Sequence, residues 1–198
     1  MENTSTTNVL IVGVGGQGII LAGEILSSVC ISSGWDVKQS EVHGMAQRGG
    51  SVISHVRFGR KVFSPTIEEG SADYFLAFEM LEALRFKDYL KTGGVMLVNR
   101  QQIDPITVAS GVSKYPQDTL SLIREHHQNV LEIDGLNIAV NAGHTRAVNV
   151  ALLGALSVYL EFDENVWKES IKKYVPVKSY DINLKAFYEG RKAAQPLL

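Results

Sequence analysis

Residues 8–12, Asn-Val-Leu-Ile-Val, form a short and nearly continuous apolar run that stops at Gly13. Runs of this kind suit a strand buried on both faces, as in a parallel sheet. Over residues 19–33 the pattern changes: Ile19, Ala22, Leu26, Val29 and Cys30 recur at helical spacing, and Gly34 is a natural residue for the helix end. Residues 35–42 read as a second strand, so the chain opens as strand, glycine loop, helix, strand. Residues 51–58 alternate in polarity, turn at Gly59-Arg60 and return through residues 61–65, the pattern of an antiparallel hairpin beside the parallel units. A strand at 72–78, a helix at 80–90, a turn at 91–94 and a strand at 95–99 follow. Helix at 120–128 and strand at 130–133 come next, then a strongly apolar helix at 146–160 and amphipathic helices at 164–174 and 184–194.

Alternating strands and helices predict a three-layer α/β/α sandwich with a mixed, mostly parallel sheet, a Rossmann-like start and C-terminal helices. No internal repeat or low-complexity linker breaks the chain. The expected organisation is one unit over 1–198, with a core at about 8–160 and a helical arm at 161–198.

Composition narrows the function. Of 198 residues 45% are apolar, enough for a sizeable core, and 19 basic against 21 acidic residues leave a net charge of −2. That balance argues against a nucleic-acid partner, which calls for a basic face. The single cysteine, Cys30, rules out a disulfide framework, a cysteine-ligated iron–sulfur cluster and a cysteine-based zinc site. The longest uncharged stretch, 3–23, holds five glycines and lacks a basic start, and the apolar run 147–160 falls short of the roughly 20 residues a bilayer requires. A cytoplasmic protein without membrane contact is expected.

Gly13-Val14-Gly15-Gly16-Gln17-Gly18 fits G-x-G-x-x-G between a strand and a helix. Such glycines permit a sharp turn and bring backbone N–H groups close to an anion at the helix start. Glu41 lies 23 residues past Gly18, near the end of the second strand, where a ribose-binding carboxylate belongs. A dinucleotide site is one reading. The other is a tight turn whose glycines serve close packing, and the polar Gln17 at the tip points that way.

Residues 41–51 pack Glu41, His43, Arg48 and three glycines into a second loop, expected to emerge at the C-terminal sheet edge beside the first. Open α/β sheets bind ligands at that edge. Arg48, followed by Gly49-Gly50, has the chemistry of a carboxylate- or phosphate-binding fork with backbone amides in reach. A solvated turn, or an Arg–Glu pair that fixes the loop, is the competing reading for Arg48 and His43.

In sequence order these segments resemble the gamma-domain family of 2-oxoacid:ferredoxin oxidoreductases, in its indolepyruvate small-subunit form. The resemblance is carried by the glycine loop and by Glu41…His43-Gly44…Gln47-Arg48-Gly49-Gly50-Ser51-Val52. Ser64-Pro65-Thr66-Ile67 with Gly70-Ser71-Ala72-Asp73, and Glu79-Met80-Leu81-Glu82-Ala83-Leu84-Arg85, add to it. Gly143-His144-Thr145-Arg146-Ala147-Val148-Asn149 and Leu153-Gly154 complete it, spanning roughly 8–160. The resemblance implies a subunit that is inactive alone, in a complex that decarboxylates a 2-oxoacid oxidatively to an acyl-CoA. Thiamine diphosphate, magnesium and 4Fe–4S clusters are then expected in a large partner subunit, and ferredoxin and coenzyme A meet the complex. Asp134-Gly135-Leu136-Asn137 is too compact for the family's diphosphate–magnesium motif. Candidate ligand- or partner-binding residues are Gly13, Gly15, Gly16, Gln17, Gly18, Glu41, His43, Arg48, Gly49, Gly50 and Arg146. A stand-alone NAD(P)-binding protein is the alternative.

Five further features have plain readings. His126-His127, adjacent on the expected helix, diverge and suit a surface. His144 and Arg146 precede the apolar helix, either as its cap or as contacts to a partner's ligand. Asn149, one turn into that helix, needs a polar partner. Glu79, Glu82 and Arg85 have the spacing of a solvated, ion-paired face, part of which the resemblance would set against the partner subunit instead, and Cys30 belongs to the core.

Overall fold

In the computed structural model, which describes residues 6–44 and 49–194, six strands form one sheet in the order β2-β3-β1-β4-β5-β6. The strands are β1 Thr7–Val14, β2 Asp36–His43, β3 Ser51–Gly59, β4 Ala72–Ala77, β5 Leu90–Asn99 and β6 Val130–Ile133. β1, β4, β5 and β6 run parallel, whereas β3 is antiparallel to both β1 and β2. Successive residues of β1 bury on opposite faces. Val9 and Ile11 join the core with helix α1 (Ile19–Ser32), α6 (Val148–Leu156), α7 (Glu164–Tyr174) and α8 (Tyr180–Ala194). Leu10 and Val12 join the other core, with residues of α2 (Met80–Arg85) and α4 (Thr119–Arg124). Strands buried on both faces read as unbroken apolar runs, which is why 8–12 lacks alternation. The mixed three-layer sandwich expected from the sequence is present.

Several boundaries differ. Residues 61–65 form no strand; the antiparallel partners of β3 are β1 and β2. Side chains hold the returning segment instead: Val62 N–H donates to Asp36 Oδ2 at 2.9 Å, and Arg57 Nη1 donates to Ser64 and Thr66 carbonyls at 2.9 and 3.0 Å. The expected 80–90 helix stops at Arg85 and continues as a 3-10 turn over Lys87–Tyr89. The 146–160 helix likewise has 3-10 turns on either side of α6, and Ser157 Oγ donates to the Gly154 carbonyl at 2.7 Å. α4 ends at Arg124, so His126-His127 lie outside it. A short helix α3 (Ile106–Ala109) and a longer one, α5 (Gly135–Ala142), were not expected. Asp134 starts α5 by accepting Asn137 N–H at 3.0 Å, the role of an N-cap.

The C-terminal helices lie on the sandwich. α8 crosses α6 where Gly154 meets the Phe187 backbone and Gly190 meets that of Ala151, and Trp167 of α7 is fully buried in the same core. Cys30 is buried within α1, and desolvation pushes its thiol well above the usual range, as befits a packed core residue.

One buried histidine makes this fold pH-sensitive. His55 Nδ1 accepts the Ile67 N–H at 3.2 Å, and burial, then the Arg57 charge, hold its imidazole below the usual 6.5. The native state therefore keeps His55 neutral, while the unfolded chain takes up a proton as pH falls through 6.5. The contribution of His55 to stability is complete above that value and declines below it. Replacing His55 with Gln, whose carbonyl still accepts the Ile67 N–H, is expected to flatten the fall in melting temperature between about pH 7 and 5. Equal slopes for both proteins would remove His55 from this role.

Candidate functional site

The C-terminal ends of β1, β4, β5 and β6 converge with the end of β2 and the start of β3, and the glycine loop lies on this edge. Gly16 and Gly18 adopt φ of 105° and 83°, backbone that side chains rarely enter. Gly15 N–H donates to the Gly50 carbonyl at 2.8 Å, which ties the glycine loop to the second loop. Gln17 folds back into the protein: its Oε1 accepts Val14 N–H at 2.7 Å and its Nε2 donates to the Phe78 carbonyl at 2.9 Å and to Gln101 Oε1 at 3.1 Å. The same two acceptors receive Nδ2 of the fully buried Asn99 at 3.0 and 3.1 Å, and Asn99 Oδ1 takes the Gly135 N–H at 3.1 Å. Three amide side chains thus join the loops that follow β1, β4, β5 and β6.

What the glycine loop leaves available is a row of donors. Among the described residues, the N–H groups of Gly16, Gly18, Ile19, Ile20 and Leu21 meet no acceptor, and the first turn of α1 has neither a side-chain cap nor an acidic residue. Asn149, 5% exposed, closes this end: a Cβ on Gly18 would lie 2.7 Å from its Nδ2. Asn149 Oδ1 accepts Val150 N–H at 2.9 Å, the polar partner its position demanded, so the amide group faces Gly18. Positive helix-end polarity with no competing carboxylate favours an anion.

Glu41 does not occupy a ribose-binding position. Its backbone pairs with Ser54, which pairs with Ile11, so β3 stands between it and β1, about 10 Å across two strand spacings. Its carboxylate is already engaged: Gln39 Nε2 donates to Oε1 at 2.9 Å, and His43 Nε2 lies 3.4 Å from Oε2. Ser27 Oγ of α1 in turn donates to Gln39 Oε1 at 2.7 Å. Glu41 and His43 therefore form a fixed pair along the α1 side of the edge strand.

Gln47 and Arg48 lie outside the described residues. Of their loop, Gly44 N–H donates to the Ser51 carbonyl at 2.9 Å, Gly49 has φ of 77°, and Gly50 accepts from Gly15. Arg146 is exposed, and its N–H donates to His144 Nδ1 at 3.0 Å, the capping arrangement. Gly13 is packed, since a Cβ there would lie 2.7 Å from Gln17 Oε1 and 2.8 Å from Phe78 Cβ.

The Glu79–Glu82 segment is not a solvated face. Glu79 is 1% and Glu82 4% exposed. Glu79 accepts from Glu82 N–H at 2.8 Å, Ile103 N–H at 3.1 Å and Tyr115 Oη at 2.6 Å. Burial, then this carboxylate, keeps the Tyr115 phenol protonated well above its ordinary range. Glu82 accepts from Ser51 Oγ and sits 3.5 Å from Arg85 Nε; burial raises its carboxyl above the usual value, against the lowering effect of those two partners. Charge spacing alone could not reveal this burial, because it depends on β3 and residues 103–115 closing over α2.

No group of three His, Cys, Asp or Glu side chains converges among the described residues, and the one cysteine is enclosed in α1. Asp134 is spent as a helix cap. No helix is long and apolar enough to cross a membrane among the described residues.

Sheet order and the convergence of the loops at the C-terminal strand ends define an α/β protein of the mixed, mostly parallel class. The chain belongs to the pyruvate ferredoxin/flavodoxin oxidoreductase family, whose sequence model matches residues 8–193. It is 43% identical over 197 residues to the indolepyruvate oxidoreductase subunit IorB of Pyrococcus horikoshii, covering 96% of this chain and 97% of that protein. The gamma subunit of a keto/oxoacid ferredoxin oxidoreductase from Geobacter sulfurreducens superposes with a TM-score of 0.72 at 25% identity, over 96% of this chain and 99% of that one. A 2-oxoglutarate:ferredoxin oxidoreductase from Magnetococcus marinus, solved with 2-oxoglutarate, coenzyme A and succinyl-CoA bound, shares the fold at 22% identity and a TM-score of 0.73; the match covers 98% of this chain and 32% of that chain.

Proposed function

We propose that this chain is the small, cluster-free subunit of a 2-oxoacid:ferredoxin oxidoreductase complex that acts on an aryl 2-oxoacid of the indolepyruvate kind. The complex converts the 2-oxoacid and coenzyme A into an acyl-CoA and carbon dioxide, and two electrons pass to ferredoxin. Thiamine diphosphate, magnesium and 4Fe–4S clusters belong to the large partner subunit, which supplies decarboxylation and electron transfer. Near full-length similarity to an indolepyruvate oxidoreductase subunit supports the substrate class. One unit over 1–198, with α7 and α8 buried against its core, and a cytoplasmic location are part of the same reading.

This chain's own contribution is to bind. The observation that carries it is the row of N–H groups at Gly16, Gly18, Ile19, Ile20 and Leu21 that meet no acceptor among the described residues, with Asn149 at its end and no carboxylate in the first turn of α1. Phosphate groups of coenzyme A suit that row, and the coenzyme in the Magnetococcus complex supports the choice. Gly13 and Gly15 shape the loop, Gln17 locks it, and His43, held by Glu41, flanks it. Arg48, Gly49, Gly50 and Arg146 are assigned to the same ligand edge.

NAD(P) binding lacks its ribose carboxylate, because Glu41 is two strands away and engaged. Calorimetry with NADH and NADPH at millimolar concentration is expected to show no saturable heat. A dissociation constant of about 10 μM or tighter, roughly 7 kcal/mol, that vanishes in Gly15→Val would overturn the assignment. With the assembled complex, coenzyme A is expected to bind saturably, and to lose affinity in Gly18→Ala, whose methyl would collide with Asn149.

A further inference from the structure

Glu82 is a buried carboxylate that the proposed binding row does not use. It stands on the opposite side of the sheet from α1, at 4% exposure, with Glu79 three residues before it adding to the cost of its charge. A buried acid in this setting is expensive unless something in the fold requires it. Its contacts identify what that is. Glu82 accepts from Ser51 Oγ and is paired at 3.5 Å with Arg85, whose side chain is half exposed. Ser51 is the first residue of β3 and directly follows Gly49-Gly50. Its carbonyl accepts Gly44 N–H at 2.9 Å, and it pairs in register with Val14, the last residue of β1. One residue earlier, the Gly50 carbonyl takes the Gly15 N–H at 2.8 Å.

These contacts form a single mechanical path from Glu82 through Ser51 and Gly50 to Gly15. Among the described residues, Gly15 N–H is the glycine-loop donor that bonds the second loop, so the position of Gly50 sets the loop's opening. We infer that Glu82 is a positioning residue for the coenzyme: through Ser51 it fixes the start of β3 and so holds the glycine loop in the shape that presents its free N–H groups. The inference rests on the proposed coenzyme site. Glu82 touches neither substrate nor coenzyme, and its effect is read in binding of the coenzyme rather than in the chemical step. Glutamine can still accept the Ser51 hydroxyl, whereas alanine cannot, so the acceptor rather than the charge is what the role requires.

The test uses the complex reconstituted with the large subunit, with indolepyruvate, coenzyme A and ferredoxin as probes. Glu82→Ala is expected to raise the KM for coenzyme A at least tenfold, with the KM for indolepyruvate changed less than twofold. Glu82→Gln should return the coenzyme KM to within about threefold of the unaltered complex. Ser51→Ala should reproduce Glu82→Ala, and the double variant should be no worse than either, since both break one path. Gly18→Ala separates the two claims. If it raises the coenzyme KM while Glu82→Ala leaves it unchanged, or raises both KM values equally, the positioning role is overturned and the coenzyme site stands. If Gly18→Ala also leaves the coenzyme KM unchanged, the site itself fails and the inference falls with it. Loss of thermal stability in Glu82→Ala without a selective coenzyme effect, or additive Ser51 and Glu82 effects, would likewise overturn it.

Discussion

Gly190→Ala is expected to destabilise the fold by about 3 kcal/mol, the upper part of the range for overpacking. A Cβ at Gly190 would lie 1.9 Å from the Ala151 carbonyl oxygen, and one at Gly154 would lie 2.0 Å from that of Phe187. Both obstacles are backbone, so no side-chain rotation relieves them, and α6 and α8 must move apart. That separation loosens the core built by Leu152, Leu153 and Leu156 against Phe187 and Trp167. At about 2–4 °C per kcal/mol for a chain of this size, melting should fall by about 6–12 °C. Gly154→Ala should act similarly, and the double variant should fall short of the sum, because either methyl alone already separates the helices. Circular dichroism melting checks this, and a shift below about 1 °C would mean that the helices do not meet backbone to backbone.

Asn99→Ala should cost about 2–3 kcal/mol, and it should also loosen the ligand edge. Asn99 is fully buried and uses both ends of its amide, donating to Phe78 and Gln101 and accepting from Gly135. Truncation leaves the Gly135 N–H, at the buried head of α5, without its acceptor, and leaves a small void. Gln17 shares the Phe78 and Gln101 acceptors, so its hold on the glycine loop weakens with the loss. Asn99→Asp keeps an acceptor for Gly135 but turns an oxygen toward the Phe78 and Gln101 acceptors in a fully buried site, and should cost at least as much as Asn99→Ala. Melting temperature and the coenzyme KM should therefore change together; a melting loss with an unchanged KM would confine Asn99 to structure.

Local pattern was sufficient where local physics decides the outcome. Residues 130–133 and 164–174 match β6 and α7 because their apolar spacing and flanking turns are unambiguous. α5 was hidden because Gly135 and Asn137 are turn residues by composition, and only the Asp134 cap and burial against α6 and α8 make them helical. Alternation in 51–58 revealed a strand but not its neighbours, since pairing with β1 and β2 spans long stretches of sequence. That same pairing bears on the dinucleotide reading of the glycine loop: inserting β3 places Glu41 two strands from β1. Glycines at 13–18 were legible as the sharp turn between β1 and α1, and Gln17 as its unusual tip. Asn99 and Tyr115 carried no motif of their own, and Glu82 was legible only as part of a charged helix face; their places became visible only once the loops they tie together were placed side by side.

Ferredoxin reduction from indolepyruvate, measured for the isolated chain and for the chain purified with its large subunit, tests the central claim most directly. The complex is expected to be brown, to contain thiamine diphosphate and iron, and to reduce ferredoxin only when coenzyme A is present. The isolated chain, with its one cysteine buried in α1, is expected to be colourless and inactive. Iron–sulfur absorbance or ferredoxin reduction by the isolated chain, or a complex that ignores both indolepyruvate and coenzyme A, would contradict the account.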